Sequence, residues 1–238
     1  MKLLSDDELE RSAIVANCRM NRERGLTGSN GYSREIGFDP LDYVRERTTP
    51  GRRFAWLDLC CGTGKALIEA ARISQVEGTD IEIVGVDLVG IFDRQDSALS
   101  CLRLVEASLR SWRPDRPFDL ITCVHGLHYV GDKLGTIARA ASWLADDGLL
   151  VGNLDLKNLK LADSRAAGRR IVSGLRRSGV EYDRRRRRIA CRGRKIVDLP
   201  YRYLGADDQA GPNYTGQPAV DSYYQPVVDA QPQTLWKR

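Results

Sequence analysis

The chain has 238 residues, of which 42% are hydrophobic and 29% are charged, and its net charge is +5. This length suits one large domain or two small ones, and the composition is that of a folded globular protein, which excludes a disordered, a collagen-like or a small disulfide-stabilised chain. No apolar stretch approaches the roughly 20 residues that a membrane-spanning helix needs. The acidic, amphipathic N-terminus lacks the apolar core of a secretory signal.

The six cysteines indicate a reducing compartment, because none of them forms a C-x-x-C pair. Three lie inside apolar, strand-like runs, where buried thiols are expected. With two histidines and no cysteine pairs, a structural zinc site is not expected. The sequence therefore predicts a cytoplasmic protein with neither a metal site nor a membrane partner.

Helix-like polar sequence fills residues 1–50, and residues 54–155 then alternate short apolar runs with helical stretches. Continuous apolar runs joined by helices are typical of parallel strands that are buried on both faces. These elements predict an α/β fold, a doubly wound and mostly parallel sheet with helices on both faces. The predicted strands are 54–61, 81–88, 101–107, 118–125 and 148–156, and the clearest predicted helices are 64–75 and 133–144.

The end of the chain has different patterns. A helix is predicted over 164–177, then strands over 187–191 and 195–204 with Arg192 and Gly193 in the turn between them. With these two strands, the predicted sheet has about seven strands. We therefore expect three parts. They are a helical segment over 1–50, a core domain over 51–204 and an irregular C-terminal segment over 205–238.

The stretch WLDLCCGTGKAL at 56–67 carries the clearest functional signal. Its order of strand, glycine turn and helix brings the backbone close to a ligand and directs helix N–H groups at an anionic group. A phosphate-binding P-loop is excluded by Leu59 and Ala66, where it needs glycine and a hydroxyl residue. Leu67 stands where a dinucleotide fingerprint has a small residue, which argues against a pyrophosphate site.

The same stretch resembles the first motif of class I S-adenosylmethionine-dependent methyltransferases, D-x-G-x-G-x-G. It reads Asp58-Leu-Cys60-Cys-Gly62-Thr-Gly64, so Cys60 replaces the first glycine. The resemblance extends over about residues 54–156 and adds the region after the predicted fourth strand and the turn before the fifth. It implies a Rossmann-like methyltransferase fold and S-adenosylmethionine as the cofactor.

Two acidic positions match the family further along the chain. Asp87 ends the second predicted strand, where a carboxylate can accept both ribose hydroxyls. In the family, an acid at the position of Glu106 receives the adenine amino group, and the next backbone amide meets the ring. Without the preceding glycine turn, Asp87 would be interpreted as the N-cap of a helix and Glu106 as an exposed residue at the end of a strand. The cofactor-binding residues implied by the resemblance are Tyr32, Asp58, Cys60, Gly62, Gly64, Asp87, Leu88, Glu106, Ala107, Ser108 and Val124.

Methyl transfer from a sulfonium is an in-line displacement that depends on positioning, and it needs a base only if the acceptor must lose a proton. Ligands of open α/β sheets lie at the carboxyl ends of the strands. The only two histidines, His125 and His128, follow the predicted fourth strand. We predict that they act as acid, base or substrate ligand, which favours oxygen as the acceptor atom and leaves nitrogen and carbon open. The alternative for His128 is packing against a helix.

Family members close the site with an N-terminal helical lid, and residues 21–40 resemble one. Tyr32 lies 26 residues before Asp58, about where related lids bring a tyrosine to the cofactor. A surface helix and loop is the alternative. The aromatic-rich segment 205–224 is expected to cover the acceptor pocket, with capping of the sheet edge as its alternative.

Residues 165–195 carry twelve arginines, one lysine and two acids, a net charge of about +11. Such a segment binds an anionic partner such as RNA, or it is a solvated helix face and hairpin. Aromatic residues are not interleaved with the basic run, and the motif of base-amino methyltransferases is absent. We therefore predict a small-molecule acceptor and no nucleic-acid partner. An RNA or peptide methyltransferase, a non-catalytic cofactor-binding protein and a homodimer remain open.

We expect methyl transfer to survive chelation of divalent metal ions. The sequence offers no cluster of oxygen or nitrogen ligands for a catalytic cation, since Asp146 and Asp147 fall in a predicted turn. Turnover is measured with and without EDTA. Activity that EDTA abolishes and magnesium restores would contradict this prediction.

Overall fold

The computed structural model describes residues 2–16, 23–94, 99–163 and 168–227. Its α-helices are α1 (Asp6–Glu10), α2 (Ala13–Ala16), α3 (Tyr32–Ile36), α4 (Pro40–Arg47), α5 (Lys65–Glu77), α6 (Lys133–Ser142) and α7 (Gly168–Arg177). Its strands are β1 (Phe54–Leu59), β2 (Ile81–Asp87), β3 (Leu102–Glu106), β4 (Phe118–Cys123), β5 (Leu144–Asn153), β6 (Leu159–Leu161), β7 (Val180–Asp183), β8 (Arg188–Arg192), β9 (Tyr201–Asp207) and β10 (Asp221–Pro226).

A seven-stranded sheet with the order β3-β2-β1-β4-β5-β8-β7 forms the centre of the fold. The strands from β3 to β5 are parallel, whereas β8 pairs antiparallel with both β5 and β7. Helices α3, α4 and α5 share one apolar cluster with the sheet, and α6 and α7 share the other. All six residues of β1 are buried because both faces are covered. The predicted doubly wound, mostly parallel sheet is confirmed.

The boundary between α6 and β5 differs from the prediction. The helix ends at Ser142 and the strand begins at Leu144, four residues before the predicted start at 148. Pairing with β4 is irregular between Phe118 and Leu120. Gly148 lies in this irregular part, where a Cβ atom would come within 2.7 Å of the Phe118 carbonyl oxygen. A residue without a side chain is therefore needed here, where the backbones of β4 and β5 approach each other closely and where the sequence predicted a turn.

The hairpin at the basic segment also differs. Strands β7 and β8 form it, and residues 184–187 make its turn. The predicted strand 187–191 is confirmed as β8, Arg188–Arg192, but the predicted hairpin that joins it to the strand 195–204 through a turn at Arg192 and Gly193 is wrong. Asp183 causes the turn, because its Oδ1 accepts the backbone N–H groups of Arg185 and Arg186 at 2.9 and 3.0 Å. The predicted helix is confirmed over Gly168–Arg177, while residues 164–167 lie outside the described part.

A second sheet with the order β6-β10-β9 contains much of the chain that was predicted to be irregular. Strand β10 pairs parallel with β6 and antiparallel with β9. The predicted strand 195–204 thus begins at Tyr201, runs to Asp207 and belongs to this sheet. Patterning could not show this because residues of β10 lie far along the chain from those of β6. Residues 228–238 of the predicted C-terminal segment lie outside the described residues.

Lys133, at the start of α6, joins the second sheet to the central one. Its side chain is fully buried, and Nζ donates to the carbonyl oxygens of Val130 and Val220 and to Oγ of Ser222, each at 2.8 Å. Ser222 Oγ in turn donates to the Gly131 carbonyl oxygen at 2.5 Å. A buried lysine needs such partners to offset the loss of hydration.

Within the described residues, no helix combines the length and the apolar character needed to cross a membrane.

We expect Lys133→Met to lower the free energy of unfolding by about 2 to 4 kcal/mol, because three buried acceptors lose their donor. Lys65→Met on the exposed side of α5 makes the same chemical change and should cost less than about 0.5 kcal/mol. Chemical denaturation of both variants measures the difference. Equal stabilities would show that Lys133 does not hold the sheets together.

Candidate functional site

The glycine turn after β1 depends on left-handed backbone conformations. Cys60, Gly62 and Gly64 have φ angles of 58°, 62° and 77°. Gly64 also needs to lack a side chain, since a Cβ atom there would lie 2.6 Å from Leu104 Cδ1. Cys60 is a non-glycine residue in a conformation that favours glycine. It therefore keeps the backbone shape of the glycine that it replaces.

Asp58 lies beneath this turn and is fully buried. Tyr32 Oη donates to its Oδ2 at 2.7 Å, and Thr122 Oγ1 donates to its Oδ1. Trp56 Nε1 completes the network by donating to Thr122 Oγ1 at 2.9 Å. Burial raises the pKa of Asp58 to about 7, against the lowering effect of the two donors. The carboxyl group thus links α3, β1 and β4.

Asp87 ends β2 and faces the same turn from the next strand. Its Oδ2 accepts the N–H of Gly62 at 3.0 Å, and its Oδ1 accepts the N–H of Val89 at 3.1 Å. Each carboxylate oxygen has two lone pairs, so further donors can be accepted. Asp87 therefore shapes the turn and also presents acceptor capacity beside it.

A cavity of about 850 Å³, part of it open to solvent, lies at the carboxyl ends of the central strands. Its wall combines the glycine turn, the ends of β2, β3 and β4, helix α1 and one face of α6. This is the edge at which open α/β sheets bind ligands. The lining residues are Asp6, Leu9, Glu10, Val15, Cys60, Gly62, Asp87, Leu88, Ala107, Leu109, Arg110, Val124, His125, Gly126, Tyr129, Val130, Gly131, Asp132, Thr136 and Arg139.

The cavity brings together part of the predicted site. The predicted residues in its wall are Cys60, Gly62, Asp87, Leu88, Ala107, Val124 and His125. The predicted residues that are described but lie outside the wall are Tyr32, Asp58, Gly64, Glu106, Ser108 and His128. Glu106 is exposed and lies against Gly90, where a Cβ atom would meet its carboxylate. Ser108 Oγ donates to Glu10 Oε1 at 2.6 Å.

Helix α1, which belongs to the predicted N-terminal helical segment 1–50, lines the cavity, whereas no described residue of 21–40, the part that was expected to act as the lid, lies in its wall. Arg110, in the loop after β3, contacts Asp6 at 3.2 Å and forms a second ion pair with Asp7. A capping box of Ser5 and Glu8 starts the helix. That capping box was the sequence signal for α1.

The segment at residues 23–40 packs on the opposite side of the glycine turn. Leu26 N–H donates to Glu69 Oε2 of α5 at 2.7 Å, and Tyr32 is buried against Asp58. Residues 21 and 22 of the predicted lid lie outside the described residues.

His125 follows β4, is 1% exposed and has a φ angle of 58°. Its backbone N–H donates to Asn153 Oδ1 at 3.2 Å, and its Nε2 lies 3.0 Å from Glu35 Oε2. Burial lowers the pKa of His125 below the usual value, although Glu35 raises it. His125 therefore stands as a neutral imidazole whose ring is oriented by a carboxylate.

Glu35 is a residue that the sequence analysis missed. Burial favours a raised pKa, but the hydrogen bond with His125 and the charges of Arg24 and Arg34 bring the Glu35 pKa below its usual value. Arg24 Nη1 lies 3.4 Å from Glu35 Oε1. The only signal in the sequence was its place in α3, one helical turn after Tyr32, which puts both side chains on the same face.

His128 is 1% exposed and lies next to His125, with 5.4 Å between the ring centroids. The Tyr214 ring lies 5.9 Å from His125 and 5.4 Å from His128. The Val220 N–H donates to the His128 carbonyl oxygen at 2.9 Å, so the segment around Tyr214 lies over the two imidazoles. Both ring nitrogens of His128 are buried without a hydrogen-bond partner.

Among the described residues, there is no group of three or more histidine, cysteine, aspartate or glutamate side chains that could hold a metal ion.

Comparison with known proteins gives a family match and several structural likenesses. The sequence matches the family described as "Methyltransferase domain" over residues 32–191. A search of the curated proteins gives no match.

Three of the similar solved structures have methyltransferase or cyclase descriptions. An amino pentose methyltransferase from Micromonospora echinaspora, CalS10, is 21% identical with a TM-score of 0.39, covering 52% of this chain and 51% of its own. Coclaurine N-methyltransferase is 16% identical with a TM-score of 0.38, and the match covers 64% of this chain and 45% of that protein. The [4+2]-cyclase SpnF is 16% identical with a TM-score of 0.48, covering 87% and 77%.

The chain covers less than half of several other similar structures, including 32% of the citrinin polyketide synthase CMeT domain. Such likenesses say nothing about its substrate. The family match covers about two thirds of the chain, from α3 to β8, and includes the glycine turn and Asp87. On that match the chain belongs to the methyltransferase-domain family, and its fold and glycine motif are those of the class I S-adenosylmethionine-dependent methyltransferases.

Proposed function

We propose that the protein transfers the methyl group of S-adenosylmethionine to an oxygen atom of a small molecule or natural-product intermediate, with His125 as the general base. The observation that carries this proposal is the pair of His125 and Glu35. A neutral imidazole in the cavity wall lies 3.0 Å from a carboxylate that orients it. A carboxylate-oriented imidazole is a common means of removing a hydroxyl proton.

The cavity fits the cofactor of this family. Asp87 lies in the cavity wall beside Gly62, where its carboxylate would face the ribose hydroxyls, and the left-handed backbone at Cys60 and Gly62 leaves space for close approach. Leu88, Ala107 and Val124 give apolar surface for a flat base in the cavity wall. We propose these residues as the cofactor contacts. S-adenosylmethionine, when bound, supplies a methyl group that needs no further activation.

We propose an indirect role for Tyr32, Asp58 and Gly64, which lie outside the cavity wall. Tyr32 and Asp58 hold the turn from below through their 2.7 Å hydrogen bond, and Gly64 starts helix α5. From their placement, Glu106 and Ser108 contribute less to cofactor binding than Asp87 does.

We infer which ring nitrogen of His125 accepts the proton from the position of Glu35. Nε2 lies 3.0 Å from Glu35 Oε2 without a well-aligned hydrogen bond, and we assign the ring proton to this nitrogen, which leaves a lone pair on Nδ1. Nδ1 is buried and has no partner of its own. In the proposed reaction, the acceptor oxygen would bond to the methyl carbon as the sulfur–carbon bond breaks and S-adenosylhomocysteine leaves, and the hydroxyl proton would pass to Nδ1 of His125. Glu35 then stabilises the imidazolium that results.

The basic turn gives little support to an RNA acceptor. Arg184, Arg185 and Arg186 are exposed in a tight turn rather than along an extended strand. A phosphate backbone could contact few of them at once, and exposed charges contribute little on their own.

The function is tested by incubating the protein with S-adenosylmethionine and a panel of phenols, alcohols, carboxylic acids and amines. Mass spectrometry measures S-adenosylhomocysteine and the methylated product. We expect an O-methylated product. Methylation at nitrogen or carbon alone would contradict the choice of oxygen, and turnover restricted to RNA would favour the alternative acceptor class.

We expect Asp87→Ala to weaken S-adenosylhomocysteine binding by about a hundredfold or more, because two charge-assisted hydrogen bonds are lost. Glu106→Ala is the matched control, since the two residues are register partners on β2 and β3 while only Asp87 lines the cavity. Calorimetric titration measures both affinities. An equal loss in the two variants would place the cofactor contacts outside the cavity described here.

We expect His125→Asn to reduce kcat by about a hundredfold to ten-thousandfold on the acceptor found in the panel. Glu35→Gln should have a smaller effect and should move the acidic limb of the pH profile to lower pH, since Glu35 raises the pKa of His125. Glu46→Gln on α4, an exposed position, is the control. An acidic limb that stays in place in Glu35→Gln would separate Glu35 from the base.

A further inference from the structure

Two arginines of the basic segment turn inward, unlike their neighbours. Arg187 has a φ angle of 49°, and its carbonyl oxygen accepts the N–H of Leu154 at 2.8 Å. This conformation brings its guanidinium carbon to 4.3 Å from the centre of the Tyr214 ring. The side chains of Arg184 and Arg185, in contrast, are exposed. Within the turn, Arg187 therefore faces inward, whereas Arg184 and Arg185 face solvent.

Arg188 begins β8 and pairs in register with Asn153 of β5. Its Nη1 is buried without a hydrogen-bond partner and lies against Gly37, where there is no room for a Cβ atom. Burial lowers the pKa of Arg188 below its usual value. Asn153 itself contacts the Glu35–His125 pair, since its Nδ2 lies 3.5 Å from Glu35 Oε2 and its Oδ1 accepts the backbone N–H of His125 at 3.2 Å.

Arg24 approaches the same pair from the N-terminal segment. Its side chain is 11% exposed, and Nη1 contacts Glu35 at 3.4 Å and the Asn30 carbonyl oxygen at 2.9 Å. We call Arg24, Arg187 and Arg188 the arginine cluster. Arg187 and Arg188 are adjacent in the chain, and Arg24 comes from the N-terminal segment; Arg24 contacts Glu35, and Arg187 packs on the Tyr214 ring.

His128 provides an independent sign that a ligand group is missing from this region. Both of its ring nitrogens are buried and unpartnered, in a side chain that is 1% exposed. Burial is the largest effect that lowers its pKa, and the lasting positive charges that also lower it are those of Arg24 and Arg187. Buried polar atoms in proteins are nearly always satisfied, so these nitrogens require a partner. The positive surroundings favour a partner with negative charge.

The carboxylates nearby are already engaged. Glu35 contacts His125 and Arg24, and Asp155 accepts the backbone N–H groups of Lys157 and Tyr214 at 3.0 and 3.3 Å. Arg187 and Arg188 therefore have capacity for an anion from outside the protein. The Tyr214 ring lies between Arg187 and the two imidazoles, so it joins these groups into one cluster.

We propose that the arginine cluster, His128 and Tyr214 form the acceptor subsite, and that it takes an acceptor bearing an anionic oxygen group, a carboxylate or a phosphate. This inference rests on the proposed function, because it names the class of molecule that reaches His125. The anion binds to Arg187 and Arg188, and the hydroxyl to be methylated faces His125. A carboxylate could also come from the amino-acid part of the cofactor, so the test separates these two sources.

The test uses the full chain, with 4-hydroxybenzoate and inorganic phosphate as probe ligands and calorimetry as the measurement. Arg187→Gln/Arg188→Gln should weaken probe binding by about tenfold or more, the loss expected for a charge-assisted contact. Arg184→Gln/Arg185→Gln removes the same charge from the same turn and should change binding less than about twofold. Absence of binding of both probes to the wild type, or equal weakening in the two double variants, would overturn the proposal.

Cofactor fragments distinguish the source of the anion. S-adenosylhomocysteine carries the amino-acid carboxylate, and 5′-methylthioadenosine lacks it. We expect Arg187→Gln/Arg188→Gln to bind both with the affinity of the wild type. Selective loss of S-adenosylhomocysteine affinity would assign the arginines to the cofactor and overturn the acceptor subsite. Failure of the wild type to bind S-adenosylhomocysteine would refute the proposed function instead, and the probe titrations without cofactor would still decide the anion site.

A second measurement needs no variant. The chain has two histidines, so their ring C–H signals can be followed by NMR as pH changes. A bound anion offsets the cationic surroundings of His128 and should raise its pKa. A His128 titration that saturating 4-hydroxybenzoate and saturating phosphate both leave unchanged would contradict the proposed subsite.

Discussion

The buried Asp58 carboxyl group joins the parts of the chain on which the site depends. It receives hydrogen bonds from Tyr32 of α3 and Thr122 of β4 while it lies at the end of β1, directly before the glycine turn. Burying a carboxyl group is costly unless donors are provided, and here both oxygens have one. The same contact that satisfies Asp58 therefore fixes α3 against the sheet, and with α3 comes Glu35.

Unusual backbone conformations concentrate at the ends of the central strands. Cys60 and His125, both non-glycine residues, have left-handed φ angles at the ends of β1 and β4. Such conformations cost free energy and persist where the surrounding structure holds them. Cys60 and His125 both lie in the cavity wall, and the His125 imidazole lies 3.0 Å from Glu35. Two of the three described non-glycine residues with left-handed φ angles, the third being Arg187, therefore lie in the wall of the cavity.

The second sheet and helix α1 give the site its other walls. Lys133 ties the turn before α6 to β10, and the segment before β10 carries Tyr214 over the two histidines. On the other side, Leu4 pairs with Ala206 of β9, so α1 is anchored to the same second sheet before it crosses the cavity. One small sheet therefore supports the cover of the proposed cofactor cavity and that of the proposed acceptor subsite.

The sequence alone determined the parallel sheet, the glycine turn and the family, because apolar runs and glycine spacing are local properties of the chain. It also indicated Asp87 and His125, which end strands whose carboxyl ends must meet. The tertiary structure decided which residues face the cavity, and it placed Tyr32 beneath the turn and α1 above it. Glu35, Tyr214 and the inward Arg187 became part of one cluster only through contacts between segments far apart in the chain. Long-range packing and the turn made by Asp183 have no periodic signal, so no local pattern could place these side chains beside His125.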